Sequence, residues 1–314
     1  MATAKPVSLH GIGDTSYIPT AFKAGKHLRY ERPSSTISLS DLDLNFPHAS
    51  SQTAITSPFP LLTQEGVREL RADIFRPELV GKFGSWKYPG VYRIRGYGPA
   101  APFAYAMWRS TEMIKACSDA AGVDLDIIMD YEIGQLNVQL PKGTNLDDPI
   151  TENLPPPVPP SAEDEDTVEQ EKGADLKDLV SAWHHDSYPW PGMGYAVMMQ
   201  GSLVSHAALR TLGSGERVTF VVSMRPRDPT AYDNSSLRTV KPISNNDELF
   251  RQWTEYRLDV LAKRASAARK ELQVEGRSAK EIHRLTKEWV DEQIQYLQTT
   301  VDEMDLESYI APSY

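Results

Sequence analysis

Residues 180–229 read VSAWHHDSYPWPGMGYAVMMQGSLVSHAALRTLGSGERVTFVVSMRPRDP, and this stretch carries both the fold signal and the chemistry. Two segments in it have strand character. GYAVMMQG (194–201) is an apolar run bounded by glycines. ERVTFVVSMRP (216–226) puts Val218, Phe220 and Val222 on one face and Thr219, Val221 and Ser223 on the other. His184 and Asp186 are separated by one residue. On an extended segment they project from the same face, so both can reach one ion. His206 can add a second imidazole. Two imidazoles and a carboxylate on one side of iron(II) leave open positions for a bidentate co-substrate and dioxygen. An H-x-D tripeptide is short, however. The same residues also fit a polar turn before Pro189, with His206 an ordinary loop or helix histidine.

The residues after His206 narrow the choice. Arg217 follows eleven positions later (217 − 206 = 11), at the start of a strand, and Thr219 shares its face. A planar guanidinium can bond both oxygens of a carboxylate. The R-x-T pair therefore suits the distal carboxylate of a 2-oxo diacid that chelates iron at its other end. The competing reading pairs Arg217 with Glu216 at the surface.

Outward from this stretch, residues 151–175 run from PPPVPP into SAEDEDTVEQEKGAD, a self-repelling composition expected to be a disordered loop. Upstream, LDIIMDYEIGQLNVQL gives an imperfect strand alternation through Tyr131, Ile133, Leu136, Val138 and Leu140. FAYAMWRSTEMIKACSDA reads as one mostly buried helix, and TQEGVRELRADIF as a helix capped by Thr63 with Val67, Leu70 and Ile74 inward. FGSWKYPGVYRIRGYGPAAP breaks at Gly and Pro and reads as loop with one short strand. Residues 1–60 are expected to form an extended arm and 61–300 one domain. Within it, 245–300 supplies two amphipathic helices, and 301–314 is a tail. The first helix faces inward through Leu249, Trp253, Tyr256 and Val260, the second through Ile282, Leu285, Trp289 and Leu297.

A net charge of −10 excludes a general nucleic-acid binder, which needs basic surface to neutralise phosphates. No apolar run approaches the roughly 20 residues of a membrane span. The first residues lack the apolar core of a signal peptide, so a cytoplasmic location is expected. The single cysteine, Cys117, reads as a small buried hydrophobe.

The strings WHHDSYPW, QGSLVSHAALRTLG and ERVTFVVSMRPRDP, with DYEIGQLNVQLP upstream, resemble a group of fungal non-haem iron(II)/2-oxoglutarate dioxygenases. Its best-known members act in the 2-aminoisobutyrate pathway of secondary metabolism and oxidise L-valine-type amino acids, including by aziridine formation. The resemblance implies an α+β fold with a double-stranded β-helix (jelly-roll) core between N- and C-terminal helices. It implies Fe(II), 2-oxoglutarate and dioxygen, with His184, Asp186 and His206 as iron ligands and Arg217 with Thr219 on the co-substrate carboxylate. By the same resemblance Asn137 helps orient the co-substrate, and Arg210 is a rival carboxylate partner.

The chain departs from the group between the first two ligands and the third. There the family has a hydrophobic strand and a glycine-rich hairpin, whereas here Trp190 runs directly into Pro191, Gly192 and Met193. Twenty positions separate Asp186 from His206 (206 − 186 = 20), ample reach at about 3.3 Å per extended residue. The roll itself would be incomplete, by real deletion or through a faulty gene model. Two other readings follow. One is a non-catalytic relative acting as a binding or interaction protein. The other is a metal-dependent hydrolase, which would leave Arg217 without a role.

Overall fold

A computed structural model describes residues 20–88, 91–139, 193–204, 206 and 217–306. The fold is mixed helix and sheet. In chain order it begins with α1 (Ala24–His27), β1 (Thr36–Ser38), β2 (Thr53–Thr56) and β3 (Phe59–Pro60). Helices α2 (Gln64–Ile74) and α3 (Pro77–Phe83) follow, then β4 (Gly84–Tyr88) and β5 (Val91–Ile94). After α4 (Pro102–Trp108) and α5 (Thr111–Ala121) come β6 (Leu125–Ile127), β7 (Gln135–Gln139) and β8 (Tyr195–Ala196). The remaining strands and α-helices among the described residues are β9 (Arg217–Val221), β10 (Met224–Pro226), α6 (Asn246–Leu272) and α7 (Ala279–Asp302). Among the described residues no helix is long and apolar enough to cross a membrane.

The principal sheet has the order β4-β5-β7-β9, antiparallel throughout. Its apolar face carries Tyr92, Ile94, Leu136, Val138, Val218 and Phe220, and α2, α4 and α5 bury that face with Leu70, Ile74, Phe103, Met107, Met113 and Cys117. Trp108 stacks on Phe220 at 5.5 Å between ring centroids. Burial pushes the Cys117 thiol up to about 12, as expected of a cysteine that packs rather than reacts.

Several expectations shift. The 20–60 region does more than run as an arm: Leu39, Ala54, Ile55 and Phe59 are buried, and β2 and β3 pair with the 194–200 segment. GYAVMMQG is a strand only at Tyr195–Ala196, with an isolated bridge from Met199 to Ile55. The 83–102 region holds a β-hairpin, β4–β5, where one short strand was expected. The helix expected over 103–120 is two, because Ser110 ends one and caps the next by accepting from the Met113 N–H. Tyr131 and Ile133 belong to a 3-10 turn and its end, not to β7. ERVTFVVSMRP divides: β9 joins the main sheet, while β10 pairs with β6. In α7 the inward stripe includes Gln293, Tyr296 and Thr300, whereas Ile282 and Leu297 lie off the contact with α6 and are exposed. Residues 151–175 and the end of the tail lie outside the described residues.

Gly134 sets the entry to β7. Its φ is +76°, and a Cβ there would sit 2.0 Å from the Tyr97 hydroxyl oxygen and 2.3 Å from Phe220 Cζ. Strain at positive φ adds to overpacking of a filled core, so Gly134→Ala is expected to lower stability by about 2–4 kcal/mol. A denaturation midpoint equal to the parent's would refute this.

Candidate functional site

Alternation along β5, β7 and β9 makes the second face of the main sheet largely polar, with Val91 and Val221 as its apolar members. Cα partners directly across antiparallel strands share a face. The register pairs Ser85 with Arg93, Arg93 with Asn137, and Asn137 with Thr219, a single row across all four strands. One step along, Val91, Gln139 and Arg217 form the next row. On the other side of the central row, the Arg95 Nη1 donates to Gln135 Oε1 at 3.0 Å. The central row runs from interior to surface, with Arg93 buried, Asn137 half-buried and Thr219 exposed.

The flank at Arg95 is electrostatically complete. Arg95 pairs with Glu132, donates to Ser244 Oγ at 2.9 Å and lies over the Tyr131 ring. Glu132 also accepts from the Ser223 hydroxyl at 2.7 Å. This chain continues to Asn137, whose Oδ1 accepts from Gln135 Nε2 at 3.3 Å. With its oxygen engaged there, Asn137 keeps its amide N–H groups as donors to the face.

Arg93 differs from Arg95. It is 4 % exposed, and its Nη2 donates to Ser85 Oγ at 3.3 Å. Its Nε and Nη1 have no hydrogen-bond partner among the described residues. Burial, reinforced by repulsion from Arg95, pushes its pKa down to about 10, still far above neutrality. Arg93 is thus a buried cation with unspent donors, in register with a carboxamide and a hydroxyl. Such an arrangement is unfavourable alone and becomes favourable once an anion enters.

Of the residues expected at the site, Asn137, Arg217 and Thr219 come together on this face. His184, Asp186 and Arg210 lie outside the described residues. His206 is exposed, two residues beyond buried Val204, which packs with Leu39, Ala54 and Ile55. Its Nδ1 lies 2.8 Å from the Val204 carbonyl oxygen. A carbonyl only accepts, so Nδ1 carries a proton, and in the neutral ring that leaves the lone pair on Nε2, the tautomer a metal ligand needs. Among the described residues no group of three or more His, Cys, Asp or Glu is placed to hold a metal.

No protein-family model, curated protein or solved structure matches the chain. The site is therefore read from its own geometry. Sequence reading missed Arg93, although VYRIR alternates two arginines against Tyr92 and Ile94 with period two. The bracketing breaks at Pro89-Gly90 and Gly96 hid the strand. A separate concavity of about 650 Å³ beside α1 and α2 is lined by Lys26, Arg29, Leu62, Glu65, Met193 and Tyr195. Lys26 and Glu65 are salt-bridged at 2.7 Å there, which leaves it little unspent charge.

Proposed function

We propose that the chain is an iron(II)- and 2-oxoglutarate-dependent oxygenase that oxidises a small substrate, an amino acid such as L-valine, by hydrogen abstraction. The observation that carries this reading is the polar sheet face, where Asn137 and Thr219 are in register and Arg217 lies one step along. Together they present a guanidinium, a carboxamide and a hydroxyl to one acceptor-rich ligand. In this reading the four-stranded sheet is one wall of an incomplete double-stranded β-helix, and the 194–200 ladder on β2 and β3 belongs to the other.

His184, Asp186 and His206 would hold the metal, with the Val204 carbonyl fixing the His206 tautomer. Arg217 and Thr219 would hold the distal carboxylate of 2-oxoglutarate, Asn137 would orient it, and Arg210 is the further candidate for a carboxylate. Iron(II) with 2-oxoglutarate and dioxygen would supply the oxidant that removes hydrogen from the substrate. The Glu132–Arg95–Gln135 chain holds Asn137 in place without taking up its amide donors.

The test is an anaerobic titration of the protein with iron(II) and 2-oxoglutarate, following the visible charge-transfer band of the chelate. A saturable band is expected. Losing a charge-assisted contact of about 1.5–3 kcal/mol, Arg217→Ala should weaken 2-oxoglutarate roughly 10- to 150-fold while leaving iron affinity in place. Unchanged co-substrate affinity would remove Arg217 from the site. Absence of the band in folded protein would favour the non-catalytic reading, and metal binding with turnover that needs no 2-oxoglutarate would favour the hydrolase.

A further inference from the structure

We propose that Arg93 is the centre of a second anion subsite on the same sheet face, one that takes the carboxylate of a small organic acid. Three observations lead there. Arg93 is almost wholly buried, yet its Nε and Nη1 meet no acceptor among the described residues. It stands in register with Asn137 and, through it, with Thr219, so the row offers three kinds of donor on one face. Its neighbour Arg95, by contrast, is neutralised by Glu132. The uncompensated charge of the row is therefore that of Arg93.

Position separates this subsite from Arg217. Two strand spacings across and two residues along put the Cα atoms of Arg93 and Arg217 about 12 Å apart. Two carboxylates can then bind on either side of Asn137, one at each guanidinium. A monoanionic carboxylate matches the single free charge of the Arg93 row better than a phosphate dianion does. On the oxygenase reading, Arg217 holds the co-substrate and Arg93 the carboxylate of the amino-acid substrate. Naming that second ligand an amino acid rests on the oxygenase reading, whereas the anion subsite needs no metal.

The experiment is calorimetric titration of the metal-free 314-residue chain with L-valine, isobutyrate and succinate. L-Valinamide, which lacks the carboxylate, and inorganic phosphate serve as controls. At least one carboxylate should bind saturably and L-valinamide should not. Arg93→Met should weaken that binding at least about tenfold, the loss of one charge-assisted contact. The same variant should melt at or above the parent's temperature, because it removes a buried charge that the fold itself does not pair. A purely structural Arg93 predicts the reverse: a lower melting temperature and no carboxylate affinity to lose. The proposal is overturned if no carboxylate binds, if binding survives Arg93→Met, or if phosphate alone shows Arg93-dependent binding. These outcomes are independent of the iron titration, so the subsite and the oxygenase reading can fail separately.

Discussion

Asp233→Ala is expected to remove about 3–5 kcal/mol of folding stability, the scale for breaking one partner out of a buried ion pair. The Asp233 Oδ2 accepts from Tyr256 Oη at 2.7 Å, Arg257 Nη1 at 2.9 Å and Tyr296 Oη at 3.2 Å, while Oδ1 accepts from the Ser235 N–H at 3.1 Å. One carboxylate thus ties the segment before α6 to both long helices. Without it Arg257, 1 % exposed, would keep its bonds to Thr300 Oγ1 and the Tyr296 carbonyl but lose its counter-charge. Since domains are stable by only about 5–15 kcal/mol, the loss should be plain in a denaturant melt. The pH dependence follows the same group. Burial alone would raise the Asp233 pKa, but the Tyr256 hydrogen bond, the Arg257 charge and the Ser235 bonds outweigh it and hold it below the usual 3.8. The folded value lies below the unfolded one, so the stabilisation is full above the unfolded pKa and is lost as pH falls through the folded pKa. The gap between parent and variant should therefore hold from neutrality down to about pH 4, where an unfolded aspartate titrates, and narrow as pH falls below that. A gap that is constant down to strong acid would show that Asp233 stabilises through packing instead of charge.

This helical buttress reaches the polar sheet face. Tyr131, clustered with Trp253 and Tyr256, receives the Asn245 N–H on its hydroxyl at 2.8 Å and gives its own N–H to Gln252 Oε1 at 2.8 Å. The next residue, Glu132, holds Arg95. Loosening α6 is therefore expected to be felt along the Glu132–Arg95–Gln135–Asn137 chain.

Legibility in the sequence tracked how local the cause of each feature was. The inward face of α6 was readable because Leu249, Trp253, Tyr256 and Val260 repeat at helical spacing, and all four are buried. The same rule misplaced part of α7: Ile282 and Leu297 are apolar, but contact with α6 selects a stripe through Gln293, Tyr296 and Thr300, two of them polar. Arg217 and Thr219 were legible as a same-face pair because a strand fixes i and i+2 together. That Asn137 stands directly across from Thr219 is a matter of long-range register, which composition does not encode. Arg93 was least legible of all. What marks it is missing hydrogen-bond partners, and those are visible only after four strands and their neighbours have been assembled.

His206→Ala tests the metal reading with little risk of a folding artefact, and its expected result is loss of the iron(II)–2-oxoglutarate band. The side chain is exposed, and its one polar contact among the described residues is Nδ1 with the Val204 carbonyl. Nearby the imidazole lies over Gly201, with Cε1 3.3 Å from where a Cβ would be. The backbone is anchored independently, because Val204 is 3 % exposed against Leu39, Ala54 and Ile55. Removing the ring should accordingly leave the circular dichroism spectrum and melting temperature near the parent's. Altering residues that merely support a ligand commonly weakens metal binding 10- to 100-fold, so removing a ligand should weaken iron(II) by about 100-fold or more. Carboxylate binding at Arg93 in metal-free protein should be untouched, since that subsite is built on the sheet and not on the 193–206 segment. If His206→Ala binds iron as the parent does, His206 is an ordinary surface histidine and the oxygenase reading loses its third ligand. If the band disappears while carboxylate binding persists, the metal and the sheet's donor row are separate elements of one site, as proposed.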